Sequence, residues 1–234
     1  MVDMEIDGEI IYTPPAILFD TYRTGTDLTH YNLYAGTDPQ AIVPTLITND
    51  LYLTSGNAGT GIAADGSELV GAASDLNWKL NEYSMTTFVC KVRIDTLMTN
   101  IVFFVGLSDN ETTLEMPIEN PGGALTSNAT NAVGFSFDTA EGTTFQLVGV
   151  NNDVDETQQD SVITPVVDTY NVLMMQITDT GTATFYIDGV QVGVPMTTCM
   201  QVGANTRPIV VVSTRNAVSK TLRIDRMYVR LDPL

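Results

Sequence analysis

The chain has 234 residues, 44% hydrophobic and 16% charged, with 28 acidic against 10 basic residues and a net charge of −18. That size and hydrophobic share exclude a disordered chain and suit one packed domain, while the negative charge excludes a nucleic-acid partner, whose affinity rests on Lys and Arg displacing counterions, and disfavours an anionic membrane. No apolar run approaches the ~20 residues that cross a bilayer, and the opening MVDMEIDGEIIY lacks the basic and continuous apolar regions of a secretory signal, so the expectation is a protein made in a cytoplasm and used there or in something assembled there.

Residues 1–15 are expected to form an extended arm. Pro14-Pro15 favours polyproline II over a central strand and separates the arm from a domain spanning 16–234. Within the arm, Ile6, Ile10, Ile11 and Tyr12 make an apolar set that a solvated segment does not need, and it is expected to add a strand to a partner or fill a groove on it. Glu5, Asp7 and Glu9 alternate in the same stretch and, on a strand, would project from one face about 6.5–7 Å apart. Residues 16–22 and 30–34 each predict a short strand, and 44–54 contain two apolar pieces split by Asn49-Asp50. The small, Gly-rich stretch 55–74 is a connection of the length that usually carries contacts.

Trp78 and Tyr83 follow as a candidate sugar-stacking or partner contact, with core or edge packing as the plainer reading. In 87–95, Phe88, Cys90, Val92 and Ile94 alternate with Lys91 and Arg93, the period-2 pattern of a half-buried strand. Residues 100–108 are apolar on both faces, as a central strand is. A loop over 109–130 with Pro117 and Pro121 leads to Val133, Phe135 and Phe137 on one face of the next strand, and 145–150 form the strand after it. Asp153, Asp155, Glu156 and Asp160 are a weak candidate for a calcium loop, because hard cations take several carboxylates at flexible spacing. They lack the EF-hand pattern, an exposed acidic turn is the plainer reading, and no metal site or cofactor is assigned.

The clearest stretch is 170–193, YNVLMMQITDTGTATFYIDGVQVG. Ala183, Phe185 and Ile187 face one way and Thr184 and Tyr186 the other, while Asp179-Thr180-Gly181 and Asp188-Gly189 supply turns, so three strands form a meander. Residues 208–213 predict a buried strand. In the last strand Leu222 and Ile224 are out of phase with Met227, Val229 and Leu231. A period of two cannot change face without an insertion, so a bulge is expected near Asp225-Arg226. The whole reads as all-β: a two-sheet antiparallel jelly-roll β-sandwich with an extended N-terminal arm.

Chemistry is sparse. His30, the one histidine, rules out a His-cluster metal site and leaves any Ser-His-Asp arrangement a single base. The glycines of 55–71 match neither a phosphate loop nor a dinucleotide fingerprint. A Cys90–Cys199 bridge stays open, although two cysteines do not make a disulfide framework. Six of the ten basic residues lie between Arg207 and Arg230, which suits either self-association with the acidic remainder or an exposed sheet face.

The hairpin FYIDGVQVG, the closing KTLRIDRMYVRL and the 88–105 stretch resemble concanavalin A-like, laminin-G-like jelly rolls, a scaffold that hosts lectins, glucanases, adhesion modules and virion proteins. Glu5, Asp7 and Glu9 resemble the E-x-D-x-E signature of laminarinase-type glucanases, in which the first Glu is nucleophile and the last acid/base; here the motif precedes the fold, and a solvated acidic arm is the plainer reading. In style the chain is similar to tailed-phage capsid decoration (cement) proteins. That resemblance implies a non-enzymatic virion structural protein, a homo-oligomer with a trimer favoured, bound through its arm to the major capsid protein or another virion protein. The alternative is a carbohydrate-binding, lectin-like or tail-fibre receptor-binding module.

Overall fold

A computed structural model describes residues 51–55, 77–95, 98–109, 116–119, 125–215 and 218–234 with their side chains, and the strand backbone alone at 3–6, 9–12, 16–20, 31–35, 42–47, 50 and 70–74. His30, Asp7 and most of the Gly-rich 55–74 connection lie outside the described residues.

Alternating and doubly apolar runs become strands almost throughout. In chain order these are β1 (Asp3–Ile6), β2 (Glu9–Tyr12), β3 (Ala16–Asp20), β4 (Tyr31–Ala35), β5 (Ile42–Ile47), β6 (Asp50–Thr54), β7 (Val70–Ser74) and β8 (Trp78–Lys79). One turn of 3-10 helix, Leu80–Glu82, leads into the long β9 (Tyr83–Asp95) and then β10 (Ile101–Ser108). After them come the short β11 (Ile118–Glu119) and β12 (Thr126–Ser127), then β13 (Asn131–Asp138), β14 (Gln146–Asn151), β15 (Val154–Asp155) and β16 (Gln159–Asp160). The chain closes with β17 (Tyr170–Thr178), β18 (Ala183–Ile187), β19 (Val190–Met196), β20 (Asn205–Thr214) and β21 (Thr221–Pro233).

Two antiparallel sheets result. Sheet one runs β15-β14-β13-β10-β20-β7-β4, with β16 added on β14 and β8 on β20; sheet two runs β19-β18-β17-β9-β21-β6-β5, with β3 added on β21. β1 and β2 pair with each other as a separate hairpin. The expected meander is present as β17-β18-β19, and its second turn holds Asp188 and Gly189 at φ of 52° and 82°, the left-handed backbone that a tight hairpin turn needs. The expected bulge is also present. The β21–β9 register slips between Ile224 and Arg226, so Leu222, Ile224, Met227, Val229 and Leu231 all reach the core. The slip falls where β21 passes from pairing β6 to pairing β3.

Between the sheets Phe88, Phe103, Phe135, Phe137, Phe145 and Phe185 are buried. Phe135 of sheet one meets Phe185 of sheet two edge to face at 5.4 Å between ring centroids; each such buried ring contributes on the order of 1.5–3 kcal/mol by area. A second apolar cluster lies outside the sandwich, on the outer face of sheet one. There Val102, Phe104, Val148, Val150, Ile209 and Val211 are covered by Met116, Ile118 and Ala129 from the 109–130 connection. The described parts of that connection, 116–119 and 125–130, read from sequence as loop, thus form a strap in which β11 and β12 pair antiparallel. Beneath it Gly106 and Gly134 sit opposite each other so closely that a Cβ on either would lie 2.2–2.4 Å from a neighbouring carbonyl oxygen and about 3 Å from the Phe104 ring.

Candidate functional site

Three surfaces emerge from this frame. The first is a cleft of about 390 Å³ at one end of the sandwich, lined by Met98, Thr99, Asn100, Phe137, Thr139, Gly142 and Thr143. The chain segments around it are held by backbone carbonyls and one ion pair. Asn100, at φ 58°, turns the chain into β10, and its carbonyl accepts from the Arg215 backbone N–H at 2.8 Å and the Thr214 hydroxyl at 3.3 Å. The Ile101 carbonyl accepts from the Thr139 N–H and hydroxyl. Behind them Arg215 holds the buried Asp138 carboxylate through Nε and Nη2, and the Ala140 N–H donates to the same carboxylate. The hydrogen bond to Asp138 keeps the Arg215 guanidinium above its ordinary pKa against the opposing effect of burial. A rigid, partly apolar hollow rimmed by hydroxyls and one amide is the sort of surface that takes a small polar ligand.

The second is the outer face of sheet two. Cross-strand register sets Tyr52, Arg223, Arg93 and Tyr170 in one row across β6, β21, β9 and β17. The Arg223 guanidinium lies 4.3 Å from the Tyr52 ring centroid, and Lys91 and Arg93 lie 4.6 and 5.2 Å from that of Tyr170. Asp95 accepts from both Arg93 and Arg223, and Lys91 pairs with Asp225 at 2.8 Å. Burial works against the Arg223 charge, yet Asp95 holds its pKa above the ordinary value. The alternation of Lys91 and Arg93 is visible in the sequence; their meeting with Tyr170 and Tyr52 depends on strand order and is not.

The third is the outer face of sheet one, which the strap occupies.

The sequence-predicted residues fall elsewhere. Trp78 is 4% exposed and belongs to the inter-sheet core, with Tyr83 packed against that core, so the indole offers no face to a sugar. Glu5 stands on β1 opposite Ile10, and Glu9 on β2 opposite Ile6. Glu5 and Glu9 thus stand on two different, antiparallel strands and do not run along one. Ile10, Ile11 and Tyr12 are on β2 and Ile6 ends β1. Asp153 and Asp155 are exposed, Asp160 accepts from the Val162 N–H, and Glu156 from the Thr198 hydroxyl. Among the described residues no group of three or more His, Cys, Asp or Glu is placed to hold a metal ion. Cys90 and Cys199 are free and buried. Burial pushes the Cys90 thiol pKa up, and burial with the nearby Glu156 raises that of Cys199 to about 12.

The two sheets and their connections make this a concanavalin A-like jelly-roll sandwich. No family model matches the sequence, and no curated protein matches it either. Solved structures share the fold over nearly the whole chain. The Emp47p carbohydrate recognition domain has a TM-score of 0.64 at 11% identity, covering 94% of this chain and 98% of its own. An endo-acting O-glycanase of the human gut microbiota scores 0.63 at 10% identity, covering 92% and 98%. A Bacillus licheniformis β-glucanase scores 0.60 at 8% identity, covering 94% and 99%. Sequence reading expects no enzyme here, and that expectation is corrected. The β-glucanase, the O-glycanase, a glycosidic hydrolase and a lichenase all share the fold, so the architecture gives no ground for setting enzymatic activity aside. At these identities the likeness is one of fold, and none of these neighbours bears on a virion role.

Proposed function

We propose that the chain is a carbohydrate-binding jelly roll that takes a short glycan segment in the cleft formed by 98–100 and 139–143. The observation that carries this reading is the cleft itself, with the half-buried Met98 as its accessible apolar wall above the buried Phe137, and Thr99, Asn100, Thr139 and Thr143 as a polar rim. A sugar ring presents the matching combination of apolar C–H face and equatorial hydroxyls, and its neutrality suits a chain of net charge −18. The named neighbours, glycan hydrolases and a carbohydrate recognition domain, support the same ligand class. Thr99 and Thr143 are exposed, so replacing both by Ala removes two hydroxyls without touching the fold. The test is a screen of neutral oligosaccharides followed by titration calorimetry. The wild type is expected to bind, and the double variant about tenfold or more weaker, one to two hydrogen bonds' worth. Equal binding by both proteins would sink the cleft. A reducing-end assay on the same oligosaccharides reads any hydrolysis directly.

A second reading is favoured by one observation: β1 and β2 pair with each other and with no other described strand. Under it, residues 1–15 hold the major capsid protein or another virion protein through Ile6, Ile10, Ile11 and Tyr12, and the chain acts in a virion as a decoration protein. Deleting residues 1–15 separates the two readings. Glycan binding unchanged by the deletion supports the first, and arm-dependent attachment to capsids supports the second.

A further inference from the structure

One wall of the cleft contains a glycine that the fold does not require. Gly142 lines the cleft, yet a Cβ added to it would meet no atom of the chain within 4 Å, and its backbone lies outside the left-handed region that favours glycine. By contrast, Gly106 and Gly134 are pressed against backbone, and Gly181, Gly189 and Gly193 take positive φ. Gly203 has the same freedom as Gly142 but stands outside the cleft lining. Hydrogen bonding along the Gly142 stretch is one-sided. The Thr139 N–H donates to the Ile101 carbonyl, the Ala140 N–H to the Asp138 carboxylate, and the Glu141 and Gly142 N–H groups to the Asp138 carbonyl, all at 3.0–3.2 Å. The Thr139 hydroxyl donates to the Ile101 carbonyl as well. Residues 139–142 therefore have only acceptors left to offer a ligand. Donors remain around the same cleft on Thr99, Asn100 and Thr143.

We propose that Gly142 sets the specificity of the cleft: unsubstituted hydroxyls of a neutral glycan lie flush against its bare backbone and donate to the 139–142 acceptors, while glycans bearing sulfate or uronate are rejected. This role rests on the reading of the cleft as a glycan site. A sugar hydroxyl both donates and accepts, so it matches a rim of mixed character. A sulfate ester or a carboxylate only accepts and leaves the 139–142 acceptors without a donor. Charge acts in the same direction. Arg215, beside the turn, answers to three carboxylates, those of Asp138, Glu141 and Glu119, so the local balance is negative. A side chain at 142 would fill space that the chain itself leaves empty, so its cost falls on the ligand and not on the fold.

The test compares the full chain with Gly142→Ala and Gly142→Val on an array of immobilised neutral, sulfated and uronate-bearing oligosaccharides, followed by titration of the members bound. Urea unfolding of each protein runs alongside. The wild type is expected to bind neutral members and to bind their sulfated counterparts roughly tenfold or more weaker. Gly142→Ala is expected to keep or slightly raise the urea midpoint, because alanine fits this backbone and narrows the unfolded ensemble. Affinity for the neutral members is expected to fall with side-chain size, by about tenfold or more in Gly142→Val. A wild type that binds no member overturns both the glycan reading and the role of Gly142. If the Thr99 and Thr143 double variant loses binding while Gly142→Val keeps it, the cleft reading stands and the role of Gly142 falls. A wild-type preference for sulfated or uronate-bearing members overturns the selectivity. A Gly142→Ala midpoint well below that of the wild type would mean that the glycine serves the fold, which also overturns its role. Should Gly142→Val fail to fold, Gly142→Ala decides: unchanged affinity sinks the proposal.

Discussion

Asn131 ties together three segments that are distant in sequence. It is 2% exposed; its Nδ2 and backbone N–H donate to the two Asp109 carboxylate oxygens at 2.9 and 3.0 Å, and its Oδ1 accepts from the Asn152 and Gln201 backbone N–H groups, both at 3.1 Å. Asn131→Ala leaves two backbone donors and a carboxylate short of partners, a cost of about 2–4 kcal/mol. The urea midpoint is expected to fall with the slope unchanged. Lys220 acts in the opposite direction. It is 2% exposed, its backbone exchanges hydrogen bonds with Ser55, and burial holds its ammonium pKa below the ordinary 10.5. The unfolded chain therefore keeps the proton more tightly than the folded one. The stability cost is fully present below the folded pKa and fades as pH rises from there to 10.5. Lys220→Met is expected to raise stability at pH 7 by about 1 kcal/mol and to lose that advantage above pH 10.5. A gain that does not change with pH would mean that packing alone produced it.

At the scale of elements, β21 shows how far a sequence pattern reaches. The phase change between Ile224 and Met227 requires one extra residue, and the structure supplies it at Asp225, which is buried and paired with Lys91. Deleting Asp225 forces a choice: either Leu222 and Ile224 or Met227, Val229 and Leu231 must turn outward. The deletion is expected to abolish folding, whereas Asp225→Ala keeps the bulge and costs about 1–2 kcal/mol for the lost pair. Circular dichroism and solubility separate the two, and a folded deletion variant would refute the role of the bulge. The meander was legible for the same reason as the bulge: each signal sits within a few residues, and Asp188-Gly189 names its own turn. Strand order is a different matter. Tyr52 and Tyr170 are separated in sequence from the arginines they meet, and only β6-β21-β9-β17 adjacency brings them together. Local periodicity carries no information about that order.

At the scale of the molecule, the described residues form two apolar layers, one between the sheets and one beneath the strap, and only the first was foreseeable. Alternation assigns a strand's inner face, but the doubly apolar β10 and β13 fit any central strand, and nothing in 109–130 announces that Met116 and Ile118 lie across them. The cleft was equally hidden, because it is made where the turns at 98–100 and 139–143 meet. The layers should respond separately to damage. Ile118→Asp puts an unpaired carboxylate into the outer cluster, at a cost of about 3 kcal/mol, while leaving the inter-sheet contacts intact. The one tryptophan reports on the inter-sheet layer alone, since Trp78 packs in that core, and a dye for exposed apolar surface reports on the outer one. The variant is expected to bind dye as the strap lifts off Phe104, Val148 and Val211 at urea concentrations where Trp78 emission is still native. If the two signals change together, the strap and the sandwich form one cooperative unit, and the outer layer is part of the core rather than a cover on it.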